Sequence, residues 1–322
     1  MVSKNAITAN DGVLLTNKFV ERKLLGITND LAEMNAYLAT ARGNGIRTQL
    51  LMRSAINDNG FVDSKAVNVA AAIELLHMAT LVHDDVMDDA PVRRGLETVQ
   101  KKFGVKKAVI CGDYLLCISM DSISDLYVED PKLYTEAISV MTKTLSRLCL
   151  GEYRQFSSNG NLDISISNYL RIIGGKTAEL FFAAAYCGAR ISDAPACDIN
   201  NTARFGRNLG MIFQIIDDCK DYEFSESAAK KSVKNDIISG VVTLPLIFAM
   251  RSVPAVKLLA REVMLNQKSV DELADSVIKA GGLETAKNVA VRYKEKALQA
   301  LSGLKNAKKK SQLLELLEGI PL

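Results

Sequence analysis

Two aspartate-rich clusters, each closing an apolar run, constrain this chain more than any other feature. Asp84-Asp85-Val86-Met87-Asp88, followed by Asp89, ends the run from Leu75 to Val82, and Asp217-Asp218-Cys219-Lys220-Asp221 ends the run from Met211 to Ile216. On a helix, the first and last aspartates of each cluster stand one above the other, with the middle carboxylate roughly 100° round the same turn. The apolar flanks call for burial of both helices, while the carboxylates repel one another and are costly to enclose without a cation. Mg²⁺ takes few carboxylates and leaves positions for phosphate oxygens, so two facing clusters suit a diphosphate clamped through several metal ions. One such cluster alone reads as a solvated helix end; the duplication favours the metal.

The remaining pattern is helical. Leu, Ala, Ile, Lys and Glu recur at helical spacing, alternating β-branched runs are scarce, and the six prolines leave long stretches unbroken. The periodicity predicts an all-α protein with helices over about 12–41, 45–57, 65–87, 105–127, 131–156, 165–188, 198–222 and 238–251, and shorter ones to the end. A single domain over 1–322 is expected, and a composition that is 48% hydrophobic can supply its core. No stretch approaches ~20 uninterrupted apolar residues and the first residues lack a signal-peptide pattern, so a cytoplasmic location is expected.

A net charge of +3 without a basic patch interleaved with aromatics gives no reason to expect nucleic acid as a partner. Cys111, Cys117, Cys149, Cys187, Cys197 and Cys219 lack metal-type spacing and read as buried reduced thiols. The basic segment Lys305 to Lys310 reads as a solvated helix end, with a transient membrane-surface contact for product release as the alternative. Glu223 to Lys234, rich in Ser, Lys and Ala, reads as a loop.

The segments His83 to Gly95 (HDDVMDDAPVRRG), Gly175 to Leu180 (GKTAEL) and Phe213 to Leu246 (FQIIDDCKDY, then KNDIISGVVTLPL) resemble the trans-isoprenyl diphosphate synthases, particularly the bacterial medium- and long-chain polyprenyl branch. The match runs in order from about Gly43 to Ala249, and these motifs are specific in combination. The resemblance implies an isoprenoid synthase-type helical bundle around a central cavity, acting as a homodimer. It implies condensation of isopentenyl diphosphate with an allylic diphosphate by ionisation, condensation and elimination.

The family's roles carry over residue by residue. Asp84, Asp85 and Asp88 of the first motif, and Asp217, Asp218 and Asp221 of the second, match its metal ligands, with about three Mg²⁺ ions expected on the allylic diphosphate. Arg93, Lys176 and Lys231 match its basic ligands for that diphosphate, with Thr177 and Gln214 as hydrogen-bonding neighbours. Arg47, His77 and Arg94 match the isopentenyl diphosphate site. Asn44 stands where the family usually has lysine, and Gly45 where the polyprenyl branch usually has a further arginine, which implies weaker binding of that substrate. Taken singly, His77 reads as an interior histidine.

Product length in the family is gated by the position five residues before the first motif and its neighbour, here Ala79 and Thr80, both small. Ala79 shares a helix face with Leu76 and Ala72, so a path for the growing tail is expected to continue at least ~10 Å to Ala72 unless Leu76 or a facing helix closes it. Two further readings stand beside the synthase. A class I terpene cyclase shares the fold but pairs its aspartate cluster with a different metal motif, and a weakly active subunit of a heteromeric synthase would fit the altered turn at Gly43 to Arg47.

Overall fold

Capping residues and alanine-rich runs set the helices of this protein, seen in a computed structural model that describes residues 6–26, 31–40, 43, 45–223 and 239–321. Asn44, Lys231 and most of the expected loop at Glu223 to Lys234 lie outside the described residues. The chain is all-α, with two short antiparallel ribbons among the described residues. By contacts it divides into two compact units, one of residues 1–143, 183–203 and 303–313, the other of 144–182, 204–302 and 314–322.

The first unit opens with β1 (Ala6–Ile7), which pairs with β2 (Val62–Asp63), and α1 (Ala9–Leu25), whose N-cap Thr8 accepts a hydrogen bond from the Asp11 N–H at 3.1 Å. Next come α2 (Ala32–Thr40), α3 (Ile46–Ser54) and α4 (Lys65–Met87). The ribbon β3 (Val92–Arg93) and β4 (Leu96–Glu97) leads to α5 (Val99–Phe103), α6 (Val105–Asp121), α7 (Leu126–Glu129) and α8 (Pro131–Ser158), which runs on into residues of the second unit.

α4 is the scaffold of this unit. Leu75, Ala79 and Val82 pack with Leu24, Met34 and Leu38 and with Ala108, Cys111 and Leu115 of α6. Among the described residues α4 alone is long and apolar enough to cross a membrane, and most of it is buried in this core.

The second unit is built from α9 (Ile166–Ile173), a π-helical turn (Gly174–Ala178), the start of α10 (Glu179–Ile191) and most of α11 (Ala196–Glu223). It continues through α12 (Leu244–Ser252), α13 (Pro254–Met264), α14 (Val270–Lys279) and α15 (Gly282–Ser302), and takes in the end of α16 (Ala307–Glu318). α12 packs against α15, α13 and α14, with Leu246, Ile247 and Ala249 buried.

Four expectations need correction. The helix expected over 12–41 is two helices, since α1 stops at Leu25 with Gly26 as its C-cap. The helix over 165–188 is interrupted by the π-turn. Only Cys111, Cys187 and Cys219 are buried; Cys117, Cys149 and Cys197 are exposed, and all six are free thiols.

The basic segment is not simply a solvated end. Lys309 is 2% exposed and donates to Ser192 Oγ at 2.7 Å, and Lys308 donates to the Asn59 carbonyl at 3.0 Å. Burial pulls the Lys309 pKa from 10.5 to about 8, against the opposing pull of Asp198 and Asp58. The folded pKa lies below the unfolded one, so the unfolded chain holds more protons between these values and stability rises with pH across that window. We expect urea unfolding to show an increment on the order of 3 kcal/mol from about pH 8 to about pH 10.5 that Lys309→Met flattens. A rise of equal size in that variant would assign it to another group.

Candidate active site

The first aspartate motif is the last turn of α4. Asp88 is its C-cap, donating its N–H to the Asp84 carbonyl at 2.8 Å. Asp84 is half-buried and Asp88 exposed, whereas Asp85 is 5% exposed and accepts from Arg93 Nε at 2.6 Å. Burial raises the Asp85 pKa, the Arg93 charge and hydrogen bond oppose the rise, and nearby Asp88 adds to it. The three carboxylates are thus not equivalent, because Asp85 is already held by a cation of the protein. His83, just before them, is pinned by its Nε2, 3.2 Å from the Val109 carbonyl and 3.4 Å from Asp113 Oδ1. Both neighbours are acceptors, so Nε2 carries the hydrogen.

Arg93 and Arg94 sit on a hairpin. Val92 pairs with Glu97 and Arg93 with Leu96, leaving Arg94-Gly95 as a two-residue turn with φ of 51° and 80°. Positive φ at both central residues is the type I′ turn that matches strand twist, and Gly95 meets it without steric cost. The Arg94 guanidinium lies against Gly43, where a Cβ would fall 2.6 Å from Nη1. Burial lowers the Arg47 pKa to about 10, Arg94 contributes to the fall, and Glu74 opposes it. His77, half-buried on α4, is held well below the ordinary imidazole value by loss of water and then by Arg47, Arg94 and Arg93. Four residues singled out by motif thus lie close enough for their charges to act on one another. His77 stays neutral at neutral pH, able to donate a hydrogen bond without adding a fourth positive charge.

Glu74, which sequence reasoning missed, is the counter-charge in this cluster and accepts from the Thr48 N–H at 3.1 Å and Thr48 Oγ1 at 2.7 Å. Its place three residues before His77 on one helix face was the available signal.

In the second unit, α11 carries Gln214, Asp217, Asp218 and Asp221. Asp217 is exposed and Asp221 half-buried, while Asp218 is buried with both oxygens engaged. Tyr169 Oη donates to Oδ2 at 2.5 Å and Gln214 Nε2 to Oδ1 at 2.8 Å. Thr177 Oγ1 donates to Gln214 Oε1 at 2.6 Å.

Lys176 lies within the π-turn, a distortion frequent at functional sites, and its Nζ is 2.9 Å from Glu152 Oε1. A close approach between helices makes this possible: a Cβ on Gly151 of α8 would fall 2.5 Å from the Lys176 backbone nitrogen. Tyr169 and Glu152 were not singled out in the sequence, since their partners lie 49 and 24 residues away.

Ala79, Leu76 and Ala72 have no exposed surface, and Ala79 is packed into the core with Leu75, Cys111 and Leu115. The path expected along that face is filled. Thr80 remains half-buried, its Oγ1 donating to the His77 carbonyl at 2.8 Å.

Among the described residues, no group of three or more His, Cys, Asp or Glu side chains converges to hold a metal ion. The donor chemistry nevertheless fits Mg²⁺, which commonly uses one or two carboxylates and completes its shell with water and substrate phosphate. Asp84 with Asp88, and Asp217 with Asp221, each offer two hard oxygen donors one turn apart.

A polyprenyl synthetase family model matches residues 28–280. The chain is 31% identical over 308 residues to heptaprenyl diphosphate synthase component 2 of Bacillus subtilis (strain 168), covering 94% of this chain and 86% of that protein. It is 30% identical over 304 residues to octaprenyl diphosphate synthase of Escherichia coli (strain K12), covering 93% and 92%. The crystal structure of heptaprenyl diphosphate synthase from Staphylococcus aureus superposes with a TM-score of 0.86 at 30% identity, covering 97% of each chain.

Proposed function

The chain belongs to the polyprenyl synthetase family and is a trans-prenyltransferase whose product is longer than farnesyl diphosphate, and from that premise we propose how its residues divide the work. Asp84 and Asp88, with Asp217 and Asp221, would hold Mg²⁺ on an allylic diphosphate, with Asp85 orienting Arg93, while Arg93, Lys176 and Lys231 would take its remaining oxygens. Asp218 serves the protein rather than the metal. Arg47, Arg94 and neutral His77 hold isopentenyl diphosphate, with Asn44 in place of a usual cation. Of all the observations, the mutual electrostatic influence of Arg47, His77 and Arg94 supports this reading most directly.

Mg²⁺ held by these carboxylates would supply the charge that stabilises diphosphate as it leaves. The protein's own contribution is orientation and a fixed electrostatic field. Guanidinium and ammonium donors offer charge-assisted hydrogen bonds to phosphate oxygens, and a preformed array of them needs no reorganisation as charge develops. Exclusion of water from the allylic cation would leave the isopentenyl double bond as its nearest nucleophile. The departing diphosphate is the base best placed to take the proton that completes elimination.

The protein acts in the cytoplasm, as a homodimer whose contact uses exposed apolar side chains of the central helices, such as Val105, Val109 and Ile110 of α6. The whole chain works as one catalytic domain. A second reading, favoured by the name "component 2" of the Bacillus subtilis relative, is that another polypeptide is needed.

The purified chain with Mg²⁺, isopentenyl diphosphate and geranyl, farnesyl or geranylgeranyl diphosphate should yield longer polyprenyl diphosphates by mass spectrometry, and EDTA should abolish them. Failure with every primer would contradict activity of the chain alone. Within the isopentenyl diphosphate site, Gly43→Ala should displace the flexible Arg94 head and raise the KM for that substrate by up to about tenfold, leaving melting temperature unchanged. An unchanged KM would remove Arg94 from the site.

A further inference from the structure

Asp218 belongs to an aspartate motif, yet Tyr169 and Gln214 occupy its two oxygens from the protein side, at 2.5 and 2.8 Å. The Gln214 amide has one consistent orientation here: Nε2 faces the carboxylate and Oε1 the Thr177 hydroxyl. The result is a directed chain from Thr177 through Gln214 to Asp218, closed from the other side by the Tyr169 phenol. It links the π-turn, α11 and α9 within one unit. Asp218 is 7% exposed and Tyr169 4%, so each bond is made where water cannot easily replace it.

The ends of the chain lie beside proposed chemistry. Thr177 follows Lys176, and Asp218 follows Asp217. A rotation of α11 about its axis would swing Asp217 and Asp221 together, and Tyr169, standing on a separate helix, opposes it through a charge-assisted bond. Burial raises the Tyr169 pKa well above 10.0, and the Asp218 charge and hydrogen bond reinforce that rise, which keeps the phenol a donor.

We propose that Tyr169 is a positioning residue that, through Asp218 and Gln214, holds the second aspartate motif and the Lys176-Thr177 segment in register for binding a metal-complexed diphosphate. The proposal rests on the reading that Asp217 and Asp221 carry metal.

The test uses the full chain, with Mn²⁺ and inorganic pyrophosphate titrated calorimetrically into wild type, Tyr169→Phe, Asp218→Asn, their combination, and Asp217→Ala. Tyr169→Phe removes one hydroxyl without changing the ring, and should weaken pyrophosphate binding about tenfold. Asp218→Asn should weaken it at least as much, because an amide cannot accept at both the Tyr169 and the Gln214 positions, and the double variant should lose less than the product of the two single effects, because both changes weaken the shared Tyr169–Asp218 bond. In turnover assays the KM for the allylic diphosphate should rise while that for isopentenyl diphosphate stays constant. If Tyr169→Phe does not fold, Asp218→Asn carries the same comparison. Wild-type pyrophosphate binding by Tyr169→Phe, with Asp217→Ala impaired, overturns the positioning role while leaving the metal assignment intact, even if the melting temperature falls. Wild-type binding by Asp217→Ala overturns the metal assignment and the proposal with it.

Discussion

Asp84→Ala and Asp217→Ala should each lower turnover by about 10²–10³-fold, the loss that follows removal of one preorganised electrostatic group from a site where charge develops. Ionisation of an allylic diphosphate concentrates negative charge on the leaving group, and a missing carboxylate leaves the metal that balances it poorly held. Asp84 is half-buried and Asp217 exposed, so truncating either should cost little folding stability. Asp85→Ala is less clean, since it also releases Arg93 from its 2.6 Å contact. Turnover at saturating concentrations of both substrates, with melting curves alongside, is the measurement. A folded Asp84→Ala or Asp217→Ala protein within about threefold of wild type would remove that motif from the chemistry.

Product length should respond to Thr80 more than to Ala79. Ala79 sits in a filled core against Cys111 and Leu115, so Ala79→Phe must force an aromatic ring into occupied space, at a cost of about 1–3 kcal/mol in stability. Thr80, half-buried on the adjacent face, can accept a larger side chain that projects from the helix without disturbing that core. Thr80→Phe should therefore shift the mass-spectrometric product distribution to shorter chains, with the melting temperature largely preserved. An unchanged distribution for Thr80→Phe, alongside shorter products from a stable Ala79→Phe, would place the tail on the face that the core now occupies.

The parts of the fold and site that local pattern determines were legible from the chain alone. The helix expected over 65–87 is the one observed, because an alanine- and leucine-rich run carries helical spacing unbroken to the Asp88 C-cap, and Asp89 turns to a positive φ of 47° just beyond it. Residues recognised by motif, such as Arg47, His77 and Arg94, do gather in one unit. What escaped depended on distant partners or on backbone alternatives of similar energy. The break after Leu25 carries only a glycine as its signal, and the apolar spacing resumes beyond it. Glycines at 174 and 175 permit a kink, but its π form accompanies a close approach to Gly151, far back in the chain. Lys309 looks solvated among its neighbours, and only the fold brings Ser192 and Asp198 to it. Nothing near Tyr169 in the sequence points to an aspartate 49 residues later.

The most direct measurement is an anomalous difference map from crystals grown with Mn²⁺ and inorganic pyrophosphate. Metal peaks on Asp84 and Asp88 and also on Asp217, all shared with pyrophosphate oxygens and with Asp218 still bound by Tyr169, are the predicted result. Pyrophosphate bound with metal on only one of the two motifs, or on neither, would contradict the assignment.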